Sequence, residues 1–122
     1  MIKQVSQIGI PVKKMERAVQ FYKELLELQL LFETDQMAFF DCNGLRLLLS
    51  LPEKDEFARA SSVLYFKVDD IERSYIRLQK NGVTFISKPH IVAKMDKTET
   101  WMAFFEDSEQ NTHAITSEVS FT

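Results

Sequence analysis

Met37-Ala38-Phe39-Phe40 returns, letter for letter, as Met102-Ala103-Phe104-Phe105, an offset of 102 − 37 = 65. A four-residue identity is weak evidence alone. It gains weight because the residues before it also repeat. Ile8, Ile10, Val12, Glu16 and Arg17 are matched by Leu64, Phe66, Val68, Glu72 and Arg73 at a constant offset of 64 − 8 = 56. Two copies of one supersecondary unit account for both matches. The rise in offset places extra residues in the second copy, in the region 88–98.

Working outward, residues 5–12 alternate as a strand, with Ile8, Ile10 and Val12 on one face and Gln7 and Gly9 on the other. Met15, Ala18, Val19, Tyr22, Leu25 and Leu26 then recur at helical spacing. Residues 28–33, 37–42 and 45–51 read as three strands, with Asn43-Gly44 as a tight hairpin turn between the last two. Residues 53–60 are charged and aperiodic, and read as a linker or surface loop. The order then restarts. Residues 62–68 alternate. Asp69 is the expected helix cap, paired with Glu72 three residues on. Ile71, Tyr75 and Leu78 make the helical stripe, and Asn81-Gly82 ends it. Residues 83–87 are expected as a short strand, 88–98 give no clear period, and 99–106 with 112–119 form a second hairpin.

Composition narrows the function classes. The chain has 122 residues, the size of one domain, with 45% hydrophobic and 27% charged residues. The net charge of −3 and the scatter of Lys and Arg among acids argue against nucleic acid as a partner. No apolar run is long enough to span a bilayer, so no membrane partner is expected, and no signal-peptide pattern is seen. Cys42 is the single cysteine, which argues against a disulfide-stapled secreted fold. A cytoplasmic protein is expected.

Three stretches resemble the glyoxalase/bleomycin-resistance/extradiol-dioxygenase superfamily, also called the vicinal oxygen chelate fold. They are Ile8-Gly9-Ile10-Pro11-Val12 with Glu16-Arg17-Ala18-Val19-Gln20-Phe21-Tyr22; Tyr65-Phe66-Lys67-Val68-Asp69-Asp70; and Phe104-Phe105-Glu106-Asp107-Ser108-Glu109-Gln110-Asn111. The last is similar to the family's Phe-Phe-x-Asp-Pro-Asp-Gly-Asn, with Ser108 and Gln110 in place of Pro and Gly. Lys14 stands where the family often has a capping Asp. The resemblance implies an α+β fold of two βαβββ repeats (about 1–52 and 61–122) forming a cupped mixed sheet within one domain. Helices would pack on the convex side, and the cup would enclose a cavity. Ile8, Ile10, Leu64 and Phe66 would face the helices; Gln7, Gly9, Val63 and Tyr65 would face the cavity.

Metal-dependent members of the family hold an ion through four positions in the cup. Carried over one at a time, these fall on Gln7, Leu48 (with Leu47 as the alternative register), Val63 and Ala114. Only Gln7 offers a donor, a neutral amide oxygen, and a divalent ion needs several charged or imidazole ligands. No metal, no cofactor and no catalytic residue are therefore expected at the family's usual place. A relocated site among His90, Glu99, Asp107 and His113 has no metal-binding spacing to support it, and His113 should face away from Ala114's side. Cys42 has no neighbouring base, so it reads as an inert strand-end residue.

Ten Phe, three Tyr and one Trp make cavity walls as well as core. The candidate ligand-binding residues are Gln7, Leu48, Val63, Tyr65, His90, Glu99, Trp101, Phe105 and Ala114. The expected function is a metal-free protein that binds or sequesters a small apolar or aromatic ligand. The alternatives are a lyase (lactoylglutathione lyase-like) or dioxygenase with a displaced metal, and an interaction module acting through a dimer surface. The resemblance also implies a homodimer.

Overall fold

Alternation decides which face each strand buries, and the first strand shows it: Ile10 is buried while its neighbour Gly9 is exposed. The computed structural model describes residues 1–52 and 62–121, so the linker expected at 53–60 lies outside the described residues. The chain divides into two units, Met1–Ser61 and Ser62–Thr122. Each is a four-stranded mixed sheet with one helix, an α+β arrangement.

In the first unit the order is β1 (Gln7–Pro11), α1 (Met15–Gln20), a π-helical turn (Phe21–Leu25), β2 (Gln29–Glu33), β3 (Met37–Cys42) and β4 (Leu45–Ser50). The sheet order is β1-β4-β3-β2. β1 runs parallel to β4, and the other pairs are antiparallel. Parallel pairing needs a crossover, and α1 supplies it. Ala38, Phe40, Leu47 and Leu49 all turn to the helix side and are buried. Tyr22 meets Phe40 there, with ring centroids 5.9 Å apart. Side chains of this size contribute roughly 1.5–3 kcal/mol each when fully buried.

As Lys14 suggested, α1 starts without a side-chain cap. The π turn was not legible from the periodicity. The Leu26 N–H donates to the Phe21 carbonyl five residues back at 3.0 Å. The inserted residue rotates the apolar stripe so that adjacent Phe21 and Tyr22 are both buried. Asn43 and Gly44 take φ of 52° and 96°, the doubly positive pair of a two-residue hairpin. The Asp41 carboxylate secures the turn by accepting the Gly44 N–H at 3.0 Å.

The second unit repeats the plan: β5 (Leu64–Lys67), α2 (Ile71–Asn81), β6 (His90–Met95), β7 (Thr98–Glu106) and β8 (Thr112–Ser120), in sheet order β5-β8-β7-β6. Three expectations are corrected. The helix cap is Asp70, not Asp69, because Asp70 has the extended backbone and its Oδ1 accepts the Arg73 N–H at 3.2 Å. Residues 83–87 are not a strand. They touch the sheet through one bridge, Phe85 to Phe105, while the Ile86 N–H donates to the Phe104 carbonyl at 2.7 Å. The strand in this position is β6, inside the stretch that showed no period. Gly82 ends α2 as expected, at φ 112°.

Both edge strands β2 and β6 carry an irregularity of register at the matching place, between Leu30 and Phe32 and between Ile91 and Ala93. Bulges of this kind twist an edge away from unwanted pairing. Asp107 organises the turn between β7 and β8. Its Oδ1 accepts the N–H groups of Glu109 and Asn111, both at 2.8 Å, and its Oδ2 accepts from the Asn111 side chain at 2.8 Å. Gln110, standing at the family's Gly position, takes φ 68°.

Candidate functional site

Each sheet has a face that carries its helix and a face that does not.

On the first sheet, the pairing register puts Gly9, Leu48, Phe39 and Phe32 in one row across β1, β4, β3 and β2. The rings of Phe39 and Phe32 are 6.5 Å apart and tilted. A second row holds Gln7, Arg46 and Asp41. Gln7 and Leu48 therefore share this face as expected. The register also settles the choice between Leu48 and Leu47: Leu47 lies on the helix side and is 1% exposed. Gly9 is exposed, and a Cβ built there meets nothing within 4 Å. The Arg46 guanidinium carbon sits 5.5 Å from the Phe39 ring centroid, within cation–π range.

On the second sheet, Tyr65, Ala114 and Phe104 form a row, and Lys67, Thr116, Met102 and His90 form the next. Tyr65 and Phe104 meet edge to face at 6.3 Å, flanking a fully buried Ala114. His90 reaches Phe104 at 6.2 Å. The His90 Nδ1 lies 2.7 Å from the Lys88 carbonyl oxygen. A carbonyl can only accept, so the proton sits on Nδ1 and Nε2 is left as an acceptor in the neutral ring.

The structure brings Tyr65, His90 and Ala114 together but separates Glu99, Trp101 and Phe105 from them. By the β7 register these three point to the opposite, helix-bearing face. Phe105 is 0% exposed and packs against Phe66, Phe85 and His113; it is core, not cavity wall. Trp101 donates its Nε1–H to Glu99 at 3.4 Å on the same face, and Glu99 also pairs with Lys94 at 3.7 Å. Period-two alternation is the physical reason: Phe104, not Phe105, is the aromatic residue opposite Ala114. Val63 lies just outside β5, half-buried. The residues missed were Arg46, Phe39 and Phe104. The run Leu45-Arg46-Leu47-Leu48-Leu49 has no alternation that would mark the first; its place on the helix-free face comes from the ladder register.

Donor chemistry decides whether the carried-over positions could hold a metal. Leu48, Val63 and Ala114 present no lone pair. Gln7 has the cationic Arg46 directly across the β1–β4 ladder, which opposes a second positive charge beside it. These residues do not fit a divalent ion. His113 is buried against Phe66 and Phe105, with its Nε2 3.7 Å from Asp107 Oδ2, whereas His90 lies on the other face. Among the described residues, no three His, Cys, Asp or Glu side chains converge. Cys42 is half-buried, and burial first, then the Asp41 charge, push its thiol pKa up. That disfavours the thiolate a nucleophile needs.

Comparison with known proteins bears on the fold. A family model described as Glyoxalase/Bleomycin resistance protein/Dioxygenase superfamily matches residues 4–115. The Bacillus subtilis (strain 168) protein named "Uncharacterized protein YraH" is 30% identical, covering 86% of this chain and 91% of that protein. A superfamily member from Sphaerobacter thermophilus has a similar structure, with a TM-score of 0.80 at 21% identity over 95% of this chain and 98% of that one. A lactoylglutathione lyase from Agrobacterium tumefaciens gives 0.75 at 16% identity, over 95% and 94%. At these identities the structural likeness speaks for the fold alone. Among the described residues, no helix is long and apolar enough to cross a membrane.

Proposed function

The chain belongs to the Glyoxalase/Bleomycin resistance protein/Dioxygenase superfamily, and from that premise we propose that it binds or sequesters a small, partly aromatic ligand without a catalytic metal. One observation carries the reading: the helix-free sheet faces hold apolar and aromatic side chains where metal ligands would stand. Gly9, Leu48 and Phe39 form such a floor on the first sheet, and Tyr65, Ala114 and Phe104 on the second. Floors of this kind with a few polar groups at their margin suit small organic ligands. Gln7 and Arg46 on the first face, and Tyr65 and His90 on the second, are among the polar groups at those margins. The homodimer expected from the resemblance, acting in the cytoplasm, belongs to the same proposal; light scattering reads the assembly.

The test is a thermal-shift screen of the purified protein with aromatic metabolites and hydrophobic antibiotics, followed by calorimetric titration of the hits. A ligand that binds at micromolar concentration, and whose binding is lost in Leu48→Glu or Phe104→Ala, supports the proposal. Silence across the panel counts against it. Turnover of methylglyoxal with glutathione after loading with Ni, Zn, Fe or Mn would replace it with the lyase reading.

A further inference from the structure

We propose that Arg46 makes the first sheet's helix-free face selective for a planar aromatic carboxylate; this rests on the small-molecule reading above and adds the ligand's class to it.

Arg46 is exposed on β4, yet it shares a face with the apolar row Gly9, Leu48 and Phe39. Its guanidinium lies over Phe39, 5.5 Å from the ring centre. A cation–π contact at this distance draws the guanidinium toward the apolar row, and its N–H groups can donate to a ligand there. The carboxylate opposite it in the ladder is Asp41, and Asp41 accepts the Gly44 N–H at 3.0 Å. Among the described residues Arg46 joins no ion pair. A cation beside an apolar floor is complementary to a ligand that is apolar at one end and anionic at the other.

Shape gives the rest. Gly9 lacks a side chain in a row where its neighbours have Leu and Phe, and the space above it is clear to 4 Å. A flat ring can settle there against Leu48. The guanidinium lies over Phe39, two strands across from Gly9 in the same row, about 10 Å away by the spacing of neighbouring strands. That is on the scale of a one- or two-ring aromatic acid. Its carboxylate would meet the guanidinium in the two-pronged geometry that planar oxyanions favour, with the Gln7 amide across the ladder as a further donor.

The experiment titrates the full chain with 2-naphthoate and with its neutral amide, 2-naphthamide, by calorimetry and ligand-observed NMR. The acid is expected to bind at least tenfold more tightly, and the preference should weaken as salt is raised. Arg46→Gln should erase the preference; Arg46→Lys, which keeps charge but loses the fork, should retain only part of it. Gly9→Ile should remove binding of both compounds while the melting temperature holds, since its side chain enters clear space in a strand. Equal binding of acid and amide, or a preference unchanged in Arg46→Gln, overturns the proposal and leaves the small-molecule reading standing. If neither compound binds but another member of the screening panel does, the carboxylate class is wrong. If nothing binds, both fall.

Discussion

Replacing Phe105 by Ala separates core from cavity wall by a measurable margin. The ring is 0% exposed and has three aromatic neighbours: Phe66 with centroids at 6.4 Å, Phe85 at 5.5 Å and His113 at 5.7 Å. Removing a fully buried Phe costs about 3–5 kcal/mol, through lost transfer energy and the cavity left behind. At roughly 2.1 cal/mol/K of unfolding entropy per residue, a chain of 122 residues loses about 4 °C of melting temperature per kcal/mol. Phe105→Ala should therefore lower the midpoint by about 12–20 °C. Phe104→Ala, one residue away on the half-buried opposite face, should cost less than half as much. Differential scanning calorimetry with a circular-dichroism melt reads both. A larger loss for Phe104→Ala than for Phe105→Ala would refute the face assignment, and with it the placing of Phe104 on the ligand side.

Gly82→Ala should destabilise by about 1–2 kcal/mol, or roughly 4–8 °C, because φ 112° is strained for any residue with a Cβ. Asp107→Ala strands the N–H groups of Glu109 and Asn111 and should cost about 3 kcal/mol by urea denaturation, whereas Glu106→Ala, at an exposed site, should stay within about 0.5 kcal/mol. Cys42 should react with a disulfide reagent at pH 8 more slowly than a free thiol does, since its raised pKa leaves less thiolate at a given pH. Asp41→Asn removes the second cause and should speed the reaction. Added Ni, Zn or Mn should shift the melting temperature by less than about 1 °C, because site-specific binding of a saturating ion would add RT ln(1 + [L]/Kd) to stability.

Much of the architecture was legible because each repeat writes the same period twice. β3 and β7 share Met-Ala-Phe-Phe, and the facing of Ile8, Ile10 and Phe66 follows from alternation. The failures have local causes. β6 was unreadable because all six of its residues are exposed at a sheet edge and its register shifts between Ile91 and Ala93, so neither burial nor period leaves a mark on sequence. Asp69 and Asp70 are equally good caps by composition; backbone geometry chose the second. The candidate site was half legible. Gln7, Leu48, Tyr65, His90 and Ala114 fall on helix-free faces. Trp101 and Phe105 were picked for their aromatic character, while the β7–β8 register turns both to the helix-bearing face and buries Phe105 fully. Arg46 was passed over because a charged residue on a strand reads as solvated until its ring partner is seen.

The strand order has a consequence for synthesis. β1 closes on β4 and β5 on β8, so nothing in the first sheet's ladder waits for a residue later than Ser50. The final residue of β8, Ser120, leaves the ribosome 120 − 50 = 70 residues afterwards, which is about 4–14 s at bacterial and eukaryotic elongation rates. The leading half thus has time to zip its own sheet before the last strand of the trailing half has been made. That interval limits competition between two strand sets that share one pairing order and a four-residue sequence.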